Sequence, residues 1–123
     1  MMKKVLKDLD CDDRELSILF TNDEFIAELN RKYLNREGPT NVLAFPMSGN
    51  DDIDSSILGD VVISVDTAIR ESEECGEGLD ETIYRLLIHG ILHLQGYDHL
   101  DSREDEKKMQ REEERLLRLI LED

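Results

Sequence analysis

The stretch Glu81-Thr-Ile-Tyr-Arg-Leu-Leu-Ile-His89-Gly-Ile-Leu-His93-Leu-Gln95, continued by Gly96-Tyr-Asp-His99, decides how the rest of the chain is read. Ile83, Tyr84, Leu86, Leu87, Ile88, Ile91, Leu92 and Leu94 cover most of a helical circumference. Such a segment predicts a buried central helix over about 81–95. His89 and His93 are four residues apart, so both imidazoles lie on one face of that helix and can grip one ion. Gly96 falls where the helix must end, and His99 follows three residues later. Three imidazoles with a fourth position left open form the ligand pattern of a catalytic zinc. The chain has three histidines, and all lie in this window. Packing is a poor explanation of the trio, since each buried ring would need its own polar partner.

Outward from the helix, the upstream half reads as strands with one helix between them. Residues 3–9 read as a short helix and Glu15–Phe20 as a strand. Thr21-Asn-Asp-Glu24 has capping-box spacing, and Phe25, Ile26, Leu29 and Tyr33 recur at helical intervals, which predicts a helix over about 22–34. Gly38-Pro39-Thr40 marks a turn. Asn41–Pro46 is a second strand, 48–56 a polar acidic loop without EF-hand spacing, and Leu58–Val65 the strongest strand of the chain. Asp66 is positioned to cap a helix over roughly 67–75. The acidic run from Glu71 to Glu81 reads as a solvated face and loop. Ser102-Arg-Glu-Asp105 opens a last helix with a core stripe of Met109, Leu116, Leu117, Ile120 and Leu121. Mixed strands followed by helices point to an α+β domain, a small mixed sheet packed with helices around the central helix.

The 123 residues suit one domain, read as 1–123. A net charge of −15 disfavours broad, non-specific binding to nucleic acid or to an anionic membrane surface, and neither DNA nor membrane is an expected partner. No apolar run is long enough to span a bilayer, and the basic start lacks the apolar core of a secretory signal. Cys11 and Cys75 form no CxxC pair and read as two partly buried free thiols in a reducing cytosol. The spacing H-x-x-x-H-x-x-G-x-x-H also matches the metzincin proteases. Those enzymes carry a glutamate after the first histidine as general base, and here that place holds Gly90. Asp98 is open to three readings: a turn residue, a partner that orients an imidazole or, the weakest of the three, a metal ligand.

The block His89-Gly-x-Leu-His-Leu-x-Gly-Tyr-Asp-His99 resembles the signature of the YbeY family of bacterial endoribonucleases and ribosome-maturation factors. Leu29-Asn30-x-x-Tyr33, Pro39–Pro46 and Leu58–Ser64 resemble that family's other segments in the same order, so the likeness covers roughly residues 13–115. It implies a zincin-like, metalloprotease-type core with one Zn2+ per chain held by His89, His93 and His99. It also implies a cytoplasmic, single-strand-specific endoribonuclease acting in ribosomal RNA maturation, notably at the 3′ end of the small-subunit RNA, and in ribosome quality control. The partners implied are single-stranded ribosomal RNA, the small subunit and its assembly proteins. The family's first strand has no counterpart here. An arginine usually follows the tyrosine of the second block; here that position is Leu34. Arg36, two residues on, is the catalytic candidate in its place, and Arg31, one turn back, the other. The plainer reading of both is a solvated arginine. Asn41 and Ala44 replace a commoner aspartate and serine. Arg31, Lys32 and Arg36 form the expected RNA-facing strip. Two other readings stay open: a non-catalytic metal-stabilised ribosome-assembly factor, and a metallopeptidase, weakened by Gly90. Imidazole ligands suit nickel as well as zinc.

Overall fold

The computed structural model describes residues 2–9, 15–46, 57–95 and 103–121. The order is α1 (Met2–Asp8), β1 (Glu15–Thr21), α2 (Asp23–Leu34), β2 (Val42–Pro46), β3 (Ile57–Ser64), α3 (Val65–Cys75), α4 (Leu79–Leu94) and α5 (Arg103–Leu121). The expected α+β class holds, as a three-stranded mixed sheet with helices. The strand order is β1-β3-β2, with β3 parallel to β1 and antiparallel to β2.

The middle strand β3 is apolar because both its faces are covered. Val61 and Ile63 pack with Ala68, Leu86 and Leu87 on the α3/α4 side. Val62, pointing the other way, packs with Ile26 and Leu43. The register between β1 and β3 steps from Glu15↔Ile57 to Leu16↔Gly59, leaving Leu58 as the extra residue of a bulge. Leu58 thereby joins the cluster of Ile88, Ile91, Leu92, Met109, Leu116 and Ile120, which also takes Val5 and Leu6 of α1.

Several expectations are corrected. The α2 cap is Asn22, whose Oδ1 accepts the Phe25 N–H at 2.8 Å, so the Thr21–Glu24 capping box is displaced by one residue. The α3 cap is Ser64, not Asp66, because the helix starts at Val65. Asp66 instead accepts the Asp23 N–H of α2 at 3.1 Å. Within the apolar row of α2, Ile26 is buried, while Phe25 and Tyr33 are 42% and 58% exposed. They line an open apolar cleft against the sheet, where Tyr33 meets the Phe45 ring edge-on at 5.6 Å. Residues 71–81 are mostly helical, with α3 running to Cys75 and α4 starting at Leu79. In α5 the stripe of Met109, Leu116 and Ile120 is buried as expected, but Leu121 is 46% exposed. Cys75 is exposed rather than partly buried, and Cys11 lies outside the described residues.

The N-termini of α2 and α3 are locked together through Asp23. Its Oδ1 accepts from the Ser64 and Thr67 hydroxyls, each at 2.6 Å, and its Oδ2 pairs with Arg70 at 2.9 Å. The hydroxyl donors first, and Arg70 after them, hold this carboxyl below its ordinary range. A depressed carboxylate pKa gives stability present above the unfolded value of about 3.9 and lost as pH falls through the folded one. Asp23→Asn is therefore expected to lose about 1–3 kcal/mol at pH 7. That deficit should shrink below about pH 4. Urea unfolding of both proteins at pH 7 and pH 3 checks this, and a deficit equal at both would contradict it.

Candidate metal centre

Helix α4 has no side-chain cap at Gly78, but Asp80 and Glu81 lie in its first turn, where acidic groups suit the dipole. Thr82, Leu86, Leu87, Ile88, Gly90, Ile91 and Leu92 are buried. The helix packs against β2 and β3 on one side and α3 and α5 on others. His89 and His93 emerge from its remaining face into a cleft of about 430 Å³ that also has Leu34, Arg36, Asn41, Ala44 and Gly90 in its walls.

The two imidazoles converge. Their Nε2 atoms are 2.9 Å apart, with ring centroids at 4.5 Å and planes at 68°. A tetrahedral zinc with Zn–N bonds of about 2.0–2.1 Å separates two ligand nitrogens by roughly 3.3 Å, so the pair stands near the separation that one ion requires. Nδ1 of His89 is engaged by the Glu113 carboxylate of α5. His89 therefore presents Nε2 to the cleft. The donor set fits a divalent ion that prefers imidazole. His99, the expected third ligand, lies outside the described residues, as do Gly96, Tyr97 and Asp98. Among the described residues no group of three ligating side chains forms.

All three basic residues are exposed, but only Arg36 lines the cleft that holds the histidines, and Arg31 and Lys32 are absent from its walls. The expected basic strip thus reduces to Arg36 at the site. Lys32 instead stands over the Tyr33 ring, 5.4 Å from its centroid. Leu34 lines the cleft too, so the usual arginine position and Arg36 reach one space. Asn30 holds the connecting turn. Its carbonyl accepts the Arg36 N–H at 3.2 Å, and its buried amide donates to the Gly38 carbonyl at 2.9 Å.

Gly90 is filled space rather than an open position. A Cβ there would lie 2.8 and 3.0 Å from the two Val61 methyls and 3.5 Å from Val42 Cγ2. The glutamate of the metzincin pattern has no room at this place, because the helix lies against the sheet there.

The sequence model of the endoribonuclease YbeY family matches residues 1–120. This chain belongs to the YbeY family. The match reaches beyond the expected 13–115. The endoribonuclease YbeY of Syntrophotalea carbinolica is 42% identical over 124 residues, covering 98% of this chain and 83% of that protein. That of Geobacter metallireducens is 43% identical over 122 residues, covering 98% and 81%. That of Aquifex aeolicus is 52% identical over 94 residues, covering 76% and 62%. In three dimensions the chain resembles the solution structure of TM1509 from Thermotoga maritima, with a TM-score of 0.65 at 23% identity over 95% of this chain and 76% of that one. That likeness shows a shared fold. The sequence relatives, all named endoribonucleases, show the enzyme class, a hydrolase acting on RNA.

Sequence reasoning did not single out Glu113. A signal was present. Positions 109, 113, 116 and 120 have the spacing of an apolar stripe, and 113 is the charged member.

Proposed function

We propose that this chain is a zinc-dependent, single-strand-specific endoribonuclease of ribosomal RNA maturation, acting at the 3′ end of the small-subunit RNA and in ribosome quality control. The observation that carries this reading is the cleft itself. It brings the converging Nε2 atoms of His89 and His93 together with Arg36, in a chain whose relatives are named endoribonucleases.

His89 and His93, completed by His99, would hold one zinc ion in a zincin-like arrangement. The ion supplies Lewis acidity and a positive charge at the scissile phosphate. That local charge answers the net −15, which would otherwise repel RNA. Arg36 offers a planar, permanently charged fork to the phosphate oxygens. Leu34, Val42, Leu43 and Pro46 form apolar walls against which an unpaired base can lie. A single strand of ribosomal RNA, reached on the small subunit among its assembly proteins in the cytoplasm, fits this description. No helix among the described residues is long and apolar enough to cross a membrane.

Metal content and cleavage of a single-stranded ribosomal RNA fragment, measured together, test the reading. Wild type should carry one zinc or nickel per chain and cut the fragment. His93→Ala should lose both. Arg36→Ala should keep the metal and lose at least about tenfold in cutting, the scale of a charge-assisted phosphate contact. Stoichiometric metal without cutting would favour the non-catalytic assembly factor, to which the leucine at position 34 lends itself.

A further inference from the structure

Helix α5 buries Met109, Leu116 and Ile120 against the rest of the domain. Glu113 occupies the remaining slot of that row, at the i+4 and i+7 rhythm where an amphipathic helix carries apolar residues. Its side chain is only 20% exposed. A carboxylate there is a stability liability unless it is paired. The partner it has is Nδ1 of His89, twenty-four positions away on α4. The other nitrogen of that ring, Nε2, faces the cleft beside Nε2 of His93 at 2.9 Å.

Resting on the metal-site reading, we propose that Glu113 is the positioning residue of the centre. Its carboxylate accepts the Nδ1–H of His89. That hydrogen bond selects the tautomer with the Nε2 lone pair directed into the cleft, and it fixes the ring plane. A carboxylate behind an imidazole also makes the far nitrogen a stronger donor to a cation. Helix α5 thus has a second task beyond packing: it carries the group that readies one ligand before the ion arrives. The alternative is an ordinary ion pair that ties α5 to α4.

The two alternatives predict opposite results, so affinity and stability are read together on the full chain. The variants are Glu113→Gln, which keeps a hydrogen-bond acceptor, and Glu113→Met, which restores the apolar stripe at similar length. Zinc affinity is measured by competition with a chromophoric chelator, and the metal-free midpoint by thermal unfolding. Glu113→Met should bind zinc about tenfold to hundredfold more weakly than wild type, with Glu113→Gln between them. The metal-free midpoint of Glu113→Met should equal or exceed that of wild type. Wild-type affinity in both variants, with or without a lower midpoint, overturns the assignment and leaves Glu113 an ion-pair residue. Failure of wild type itself to take up zinc or nickel is a separate result, which overturns the metal reading and this inference with it.

Discussion

Gly90→Glu is expected to unfold the domain rather than turn it into a peptidase. The substitution restores the glutamate of the metzincin pattern, and by spacing alone it is the obvious conversion. The structure forbids it. The new Cβ would begin 2.8 Å from Val61 Cγ1, inside the distance that real Cβ atoms keep. Val61 is fully buried in the middle strand, between β1 and β2, and cannot step aside. The added side chain would wedge α4 off Val61 and Val42, and such overpacking, with partial desolvation of the carboxylate, costs several kcal/mol. Set against a total of about 5–15 kcal/mol for a small domain, such a loss removes most of the stability. Gly90→Ala is the graded control. Helix propensity favours alanine by up to about 1 kcal/mol, and overpacking opposes it by about 1–3, so a modest net loss is expected. Urea unfolding of both variants and a metal-supplemented peptide digest check this. A Gly90→Glu protein with the wild-type midpoint, or one that cuts peptides, would refute the account of the helix–sheet contact.

Gly59→Ala should be nearly as damaging, by about 3–5 kcal/mol, through a different mechanism. Gly59 has φ +145°, a conformation that side chains rarely adopt. The added Cβ would stand 2.6 Å from the Phe45 carbonyl oxygen and 3.1 Å from Pro46 Cα, both main-chain atoms of the paired strand β2. Backbone held in a ladder cannot give way as a flexible side chain can. The third close atom is Leu94 Cδ2 at 2.8 Å, next to His93, so any relief would also push on the end of α4 that bears the site. Guanidinium unfolding measures the loss, and zinc affinity of the folded fraction reports on the site. A loss below about 1 kcal/mol would show that the bulge tolerates a side chain and that the strain account is wrong.

The elements with a strong period were legible without the structure. The continuous apolar surface of residues 81–95 and the β-branched run of 58–64 announced α4 and β3, because burial on several sides leaves few polar positions. Caps were less legible. Asn22 and Ser64 displaced Thr21 and Asp66, since more than one capping residue stands within a few positions at each place and only the chain direction entering the helix selects one. Phe25 and Tyr33 looked like core by their spacing. They border an open cleft over the sheet, with Ile18, Phe45 and Val62 beneath, because among the described residues nothing further covers that side, and spacing carries no information on what lies opposite.

For the candidate site, local spacing was enough to pair His89 with His93, because the geometry of one helical turn is independent of the rest of the fold. The sequence by itself also determined the family and the absence of the protease glutamate. Three matters were decided only by tertiary structure. Arg36, and not Arg31 or Lys32, reaches the histidine cleft, because Asn30 folds the turn after α2 back toward α4. Gly90 is empty of a side chain because α4 lies directly on Val61. Glu113 meets His89 because α5 packs across α4 in one register, a contact between residues far apart in the chain that no local pattern encodes.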